Sequence, residues 1–127
     1  MAYIMAMWAN PITVAETRLF VRQADDVWSD EEREAFVDFI ARNPEAGDII
    51  RDGGGVRKVR WGRAGTGKRG GARIIYFFHD LDTPLYLLLV YAKAVRTDIS
   101  PDAKKAVREF AERIKQAHRR PTGRRNR

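Results

Sequence analysis

The chain has 127 residues, enough for one domain with a buried core and too few for two. Apolar residues make up 44% and charged residues 32%, as in a soluble globular chain, and a formal charge of +7 favours an anionic partner, nucleic acid first and an acidic protein second. Cysteine is absent, which excludes disulfide staples, thiolate zinc sites and cysteine nucleophiles and fits a reducing cytoplasm.

The apolar start, MAYIMAMWANPI, lacks a basic n-region and is broken early by Asn10 and Pro11. It is a poor signal peptide and far too short to span a membrane, so a membrane role is not expected. Glu16 to Val21 (ETRLFV) reads as a short strand. Ser29 then opens a helix: its hydroxyl can accept from the Glu32 amide while Glu32 reaches back, a capping box. Phe36, Phe39 and Ile40 share one face at helical spacing, and Asn43-Pro44 ends the helix.

Gly53-Gly54-Gly55 predicts a turn before the strand VRKVRWG, Val56 to Gly62. A glycine-rich connection leads to ARIIYFF (Ala72 to Phe78), and His79 to Pro84 turns the chain into LYLLLVYAK (Leu85 to Lys93). Ser100 caps a last helix with Pro101 in its first turn, and Val107, Phe110, Ala111 and Ile114 form its buried stripe. Residues 1–117 are expected to form a single domain and 118–127 a basic, disordered tail. The fold class is α+β: a small antiparallel sheet of about four strands with two main helices packed against it.

Charge is segregated along the chain. Asp25 to Asp48 is mostly acidic, whereas Arg51 to Arg73 carries Arg51, Arg57, Lys58, Arg60, Arg63, Lys68, Arg69 and Arg73 against Asp52 alone. Such polarity points to one working face. Within it, GRAGTGKR (Gly62 to Arg69) comes within one residue of the phosphate-cradling pattern G-x-x-x-x-G-K-[ST]. That reading fails on context: the last position is Arg69, the next segment reads as a strand, and the preceding strand is basic. A hairpin with cationic arms and tip is the better account. Alternation sets Lys58 and Arg60 on one face and Arg57, Val59 and Trp61 on the other, with Lys68 and Arg69 at the tip. The bland alternative is a solvated hairpin whose cations guard against edge pairing. Tyr91 and Lys93, two apart at the end of the last strand, project to one side. Tyr76 is expected to pack in the sheet, and His79, in a turn beside Asp80, to be an ordinary surface histidine.

These stretches resemble the HigB-type branch of the RelE/ParE toxin superfamily. The matching text is SDEEREAFVDFIARNPEAGDII, GGVRKVRWG, GKRGGARIIYFF and LYLLLVYAK, most of Ser29 to Lys93. The resemblance implies a RelE-like fold and a cytoplasmic toxin of a type II toxin–antitoxin pair that cuts messenger RNA in the ribosomal A site. It implies as partners the ribosome, mRNA and a helix-turn-helix antitoxin, with operator DNA reached only through that antitoxin. By motif, Lys58 and Arg60 match the basic strand, Arg73 the arginine opening the next strand and Lys93 the cation ending the last. Relatives close in motif continue YGKNE where this chain has Tyr91-Ala92-Lys93-Ala94-Val95. Some RelE toxins place a tyrosine beyond that strand, for which Tyr91 is the available substitute.

Metal-free RNA cleavage needs the 2′-hydroxyl activated, the phosphorane's added charge stabilised and the 5′-oxygen protonated as it leaves. Arginine keeps its proton, with a pKa above about 12, and suits bidentate clamping of the phosphate, so Arg60 and Arg73 are assigned to transition-state stabilisation. Lys58 or Lys93 is the base, and Tyr91 stacks on a base or donates a proton. Arg57, Lys68, Arg69, Arg119 and Arg120 are candidate RNA contacts. No grouping of His, Asp and Glu has metal-ligand spacing along the sequence, and no metal or cofactor is expected. The alternatives are a ParE-like gyrase poison and a non-catalytic RNA-binding module.

Overall fold

A computed structural model describes residues 10–62, 71–93 and 98–124, with side chains as far as His118. In chain order the elements are β1 (Val14–Glu16), α1 (Arg18–Val27), α2 (Asp30–Arg42), β2 (Asp48–Ile49), β3 (Val56–Trp61), β4 (Ala72–Phe77), β5 (Leu85–Ala92) and α3 (Pro101–Arg124). The sheet order is β1-β5-β4-β3-β2. The β2–β3, β3–β4 and β4–β5 pairs are antiparallel, whereas β1 lies parallel to β5, so the five-stranded sheet is mixed. The α+β class expected from the sequence is the observed one, with one more strand and one more helix.

The strand expected at Glu16 to Val21 is replaced by the end of β1 and the start of α1. Thr17 makes the switch. Its backbone amide and its hydroxyl both donate to the Leu87 carbonyl, at 3.1 and 2.9 Å, while its hydroxyl oxygen accepts from the Phe20 amide as the cap of α1. Phe20 and Ala24, four apart, are both buried; Ala24 lies beyond the window ETRLFV, so the helical period that decides the conformation is not visible within it. α1 also caps the sheet: the Val90 amide donates to Gln23 Oε1 at 3.0 Å, beyond the point where β1 ends.

The helix at Ser29 forms as expected, with both halves of the capping box in place. Arg33 of α2 ties it to β1 through Glu16 at 2.6 Å. α1 and α2 cover one face of the sheet over Phe20, Phe36, Ile40, Ile74, Tyr76, Leu87 and Val90. α3 covers the other face with Val107 and Ala111 against Val56, Ile75, Phe77 and Leu88. A register shift between Ile75 and Tyr76 bulges β5, so the consecutive Leu88 and Leu89 both pack towards α3. The turn before β3 needs its glycines: Gly54 and Gly55 have φ of 76° and 105°, the left-handed region. α3 continues past His118, where a disordered tail is expected, to Arg124. Among the described residues no helix is long and apolar enough to cross a membrane.

Candidate RNA-binding and catalytic face

What aims the basic strand is aromatic packing behind it. Trp61 meets Phe36 edge-on with ring centroids 5.4 Å apart and Phe39 at 5.0 Å, and Val59 joins the same cluster. With odd positions of β3 held against α2, the pleat sends Lys58 and Arg60 to the opposite face. There the register lines up one row across three strands: Arg60 is directly opposite Arg73, and Arg73 directly opposite Tyr91. The next row is Lys58, Ile75 and Leu89. α3 packs over the Val56 and Phe77 end of this face, leaving Arg60 exposed and Arg73 half-buried.

Like charges placed directly opposite are unfavourable by roughly 0.2–1 kcal/mol in a sheet. Among the described residues neither Arg60 nor Arg73 is relieved by an ion pair. The Arg73 guanidinium lies beside Gly71, whose φ is 97°, with Nη1 3.9 Å from where a Cβ would stand. Tyr91 is buried, 9% exposed. Lys93 is exposed one residue beyond β5, its amide donating to the Gly71 carbonyl at 3.4 Å. So Arg60, Arg73 and Tyr91 share a row, Lys58 borders it, and Lys93 stands at its β5 end.

Two residues of this neighbourhood were not singled out from the sequence. Asp98 Oδ1 lies 3.5 Å from Lys58 Nζ, and Asp98, Lys104 and Arg51 line with Lys58 a groove of about 500 Å³ beside β3. The Ile99 amide, 2.8 Å from the same oxygen, and the Lys58 ammonium outweigh burial and hold the Asp98 carboxyl below the usual carboxylate range. Nothing in the spacing of Lys58 and Asp98, forty residues apart, announces the contact. Lys104, four residues into α3 and pointing with its first turn, had a signal in the cap at Ser100.

The remaining candidates are elsewhere. Arg57 faces α2, as alternation expects, and its Nη1 donates to the Gly47 carbonyl at 2.8 Å and the Glu45 carbonyl at 3.3 Å. Lys68 and Arg69 lie outside the described residues. Arg119 and Arg120 follow His118 on the α3 backbone; about 22 Å of helix, at 1.5 Å per residue, separates them from Lys104 in the Lys58 groove. A second groove, about 590 Å³, runs between β1 and α2 on the opposite face and is rimmed by Glu16, Asp30, Glu34 and Asp38 around Arg33. Its charge is wrong for RNA. The segment after the glycine loop is β4 rather than a helix, so the phosphate-cradling loop reading lacks its helix N-terminus.

Comparison with known proteins agrees with this architecture. A structure of the E. coli toxin RelE, a double arginine-to-alanine mutant in the free state, superposes with a TM-score of 0.50 at 13% identity, covering 68% of this chain and 87% of that one. At this identity the likeness speaks for the fold. The family model described as the RelE toxin of the RelE/RelB toxin–antitoxin system matches residues 13–122, from the residue before β1 almost to the end of α3. The chain belongs to the RelE toxin family.

Proposed function

We propose that this chain is a ribosome-dependent endoribonuclease that cleaves messenger RNA in the A site, of the HigB type, and that a helix-turn-helix antitoxin holds it inactive. The observation that carries the reading is the row Arg60–Arg73–Tyr91 with Lys58 beside it. Two guanidinium groups held opposite one another, with no acidic partner among the described residues, are poorly arranged for stability and well arranged for a phosphate whose charge grows during reaction. Arg60 and Arg73 clamp the scissile phosphate and stabilise the phosphorane; Lys58 or Lys93 takes the proton of the 2′-hydroxyl; Tyr91, which must first be uncovered from its buried position, stacks on a base or supplies the proton to the leaving 5′-oxygen. Lys58 must leave the Asp98 carboxylate to act as a base. A sheet surface with no strong acid–base pair depends on something else to orient the RNA, which suits a site completed on the ribosome.

The test is a primer-extension map of a reporter message in a cell-free translation system with the purified protein, with the same message lacking ribosomes as control. In-frame cuts seen only with ribosomes are expected. Folded protein that cuts in neither tube refutes the reading and leaves a gyrase poison or a binding-only module.

A further inference from the structure

At the other end of the sheet, some six residues or about 20 Å along β4 from Arg73, both histidines of the chain meet one carboxylate. Histidine occurs twice in the sequence, at positions 79 and 118. His79 follows β4, Asp80 starts the turn to β5, and His118 comes from α3, thirty-eight residues on. His79 Nε2 is 3.7 Å and His118 Nε2 3.4 Å from the same oxygen, Asp80 Oδ2. The three ligand atoms all lie within 4.8 Å of one another.

The carboxylate is oriented from behind. Asp80 Oδ1 accepts from the Asp82 amide at 2.9 Å and from the hydroxyl of buried Thr83 at 3.0 Å, which turns Oδ2 towards the imidazoles. His79 is set by stacking on Phe77, rings 15° apart, and meets His118 edge-on at 5.3 Å. α3 is itself held in place by Arg108 donating to the Asp52 carbonyl and Lys115 to the Gly54 carbonyl, each at 3.1 Å. Two imidazole nitrogens and a carboxylate oxygen on rigid elements, with a hydrogen-bonded outer shell, form a donor set for a borderline divalent cation.

We infer that His79, Asp80 and His118 form a binding site for Zn²⁺ or a similar transition-metal ion, bridging the β4–β5 turn to the carboxyl-terminal half of α3. Bonds of about 2.0–2.1 Å in a tetrahedral arrangement put ligand atoms about 3.3 Å apart, so the observed cluster has only to tighten through side-chain rotation. Three protein ligands leave the fourth position to water. Mg²⁺, which demands oxygen ligands, is a poor occupant. Bound metal fastens α3 to the sheet at the end remote from the basic row.

The experiment uses the untagged full-length chain, titrated with Zn²⁺ against a chromophoric chelator and followed in parallel by NMR. Because the chain has no third histidine, the two Hε1 resonances report the site directly. One-to-one uptake is expected, with both resonances shifting together, a rise in Tm, and no response to Mg²⁺. His118→Ala and Asp80→Asn should each weaken binding at least tenfold. His79→Gln, at an exposed position that gives up the stack on Phe77 but no buried core contact, does the same if His118→Ala fails to fold. Absence of saturable uptake, a shift of only one histidine, or unchanged affinity in His79→Gln would overturn the inference.

Discussion

Replacing Arg73 by alanine separates a catalytic from a structural arginine. Arg73 is the centre of the row, opposite Arg60 on one side and Tyr91 on the other. Its removal relieves a like-charge opposition of roughly 0.2–1 kcal/mol and forfeits the packing of a half-buried aliphatic stem. The two effects oppose each other, so unfolding in urea should move by less than about 1 kcal/mol. Ribosome binding should weaken only a few-fold, because one phosphate contact among several is lost. The transition state loses a charged bidentate donor. Deleting one such preorganised donor costs about 10²–10³ in rate, or about 3–4 kcal/mol. Single-turnover cleavage on programmed ribosomes at saturating protein measures that loss free of binding. Arg73→Lys keeps the charge but not the planar fork and should fall between alanine and the parent. A cleavage loss no greater than the binding loss would refute the assignment, as would a stability loss large enough to explain both.

Arg57→Ala should show the reverse pattern: its two contacts to the Gly47 and Glu45 carbonyls are charged hydrogen bonds, and their loss should cost about 1.5–3 kcal/mol in urea unfolding. Asp98→Ala removes an exposed partner of Lys58, so stability should change by less than about 1 kcal/mol, and single-turnover cleavage should be maintained or rise if Lys58 is the base; a large fall would give Asp98 a direct role. Tyr76→Phe strips a buried hydroxyl that donates to the Pro44 carbonyl and accepts from the Gly47 amide, both at 2.8 Å, and should cost about 1–3 kcal/mol by leaving the amide unpaired. Burial also raises the Tyr76 phenol above its usual value despite the Gly47 amide and Arg57. The folded state therefore favours the neutral phenol, and its contribution, full below about pH 10, is lost as pH rises through the raised value. Absorbance at 295 nm should show a late tyrosine ionisation, and Tyr76→Phe should remove that late step.

The parts of the fold legible in the sequence were those whose signals are local. The capping box at Ser29, the glycine turn before β3 and the β-branched run of β4 each fix a conformation within a few residues. β1 and α1 were misplaced because the evidence for them is not local. A three-residue strand exists only because Leu85 to Leu87 provide its partners, and Thr17 becomes a cap only once Leu87 accepts its hydrogen bonds. β2, two residues long, owes its pairing to Arg57 and Lys58 and has no pattern of its own.

The same division runs through the candidate site. Alternation alone put Lys58 and Arg60 on one side of β3, since Trp61 and Val59 had to face a core. Which residues stand opposite them depends on register, and register depends on the length of the hairpin and on the bulge in β5. A shift of one residue would have set Ile74 against Arg60 and left Arg73 on the α2 side, away from Lys58 and Arg60. The histidine cluster is the extreme case. Spacing along the chain gives no sign of it, because His118 is thirty-eight residues from Asp80. It exists because α3 is long enough to carry His118 the length of the sheet and is held there by Arg108 and Lys115. Chemistry built from neighbours in sequence can be read from sequence, whereas chemistry built by a register or by the reach of a helix requires the fold.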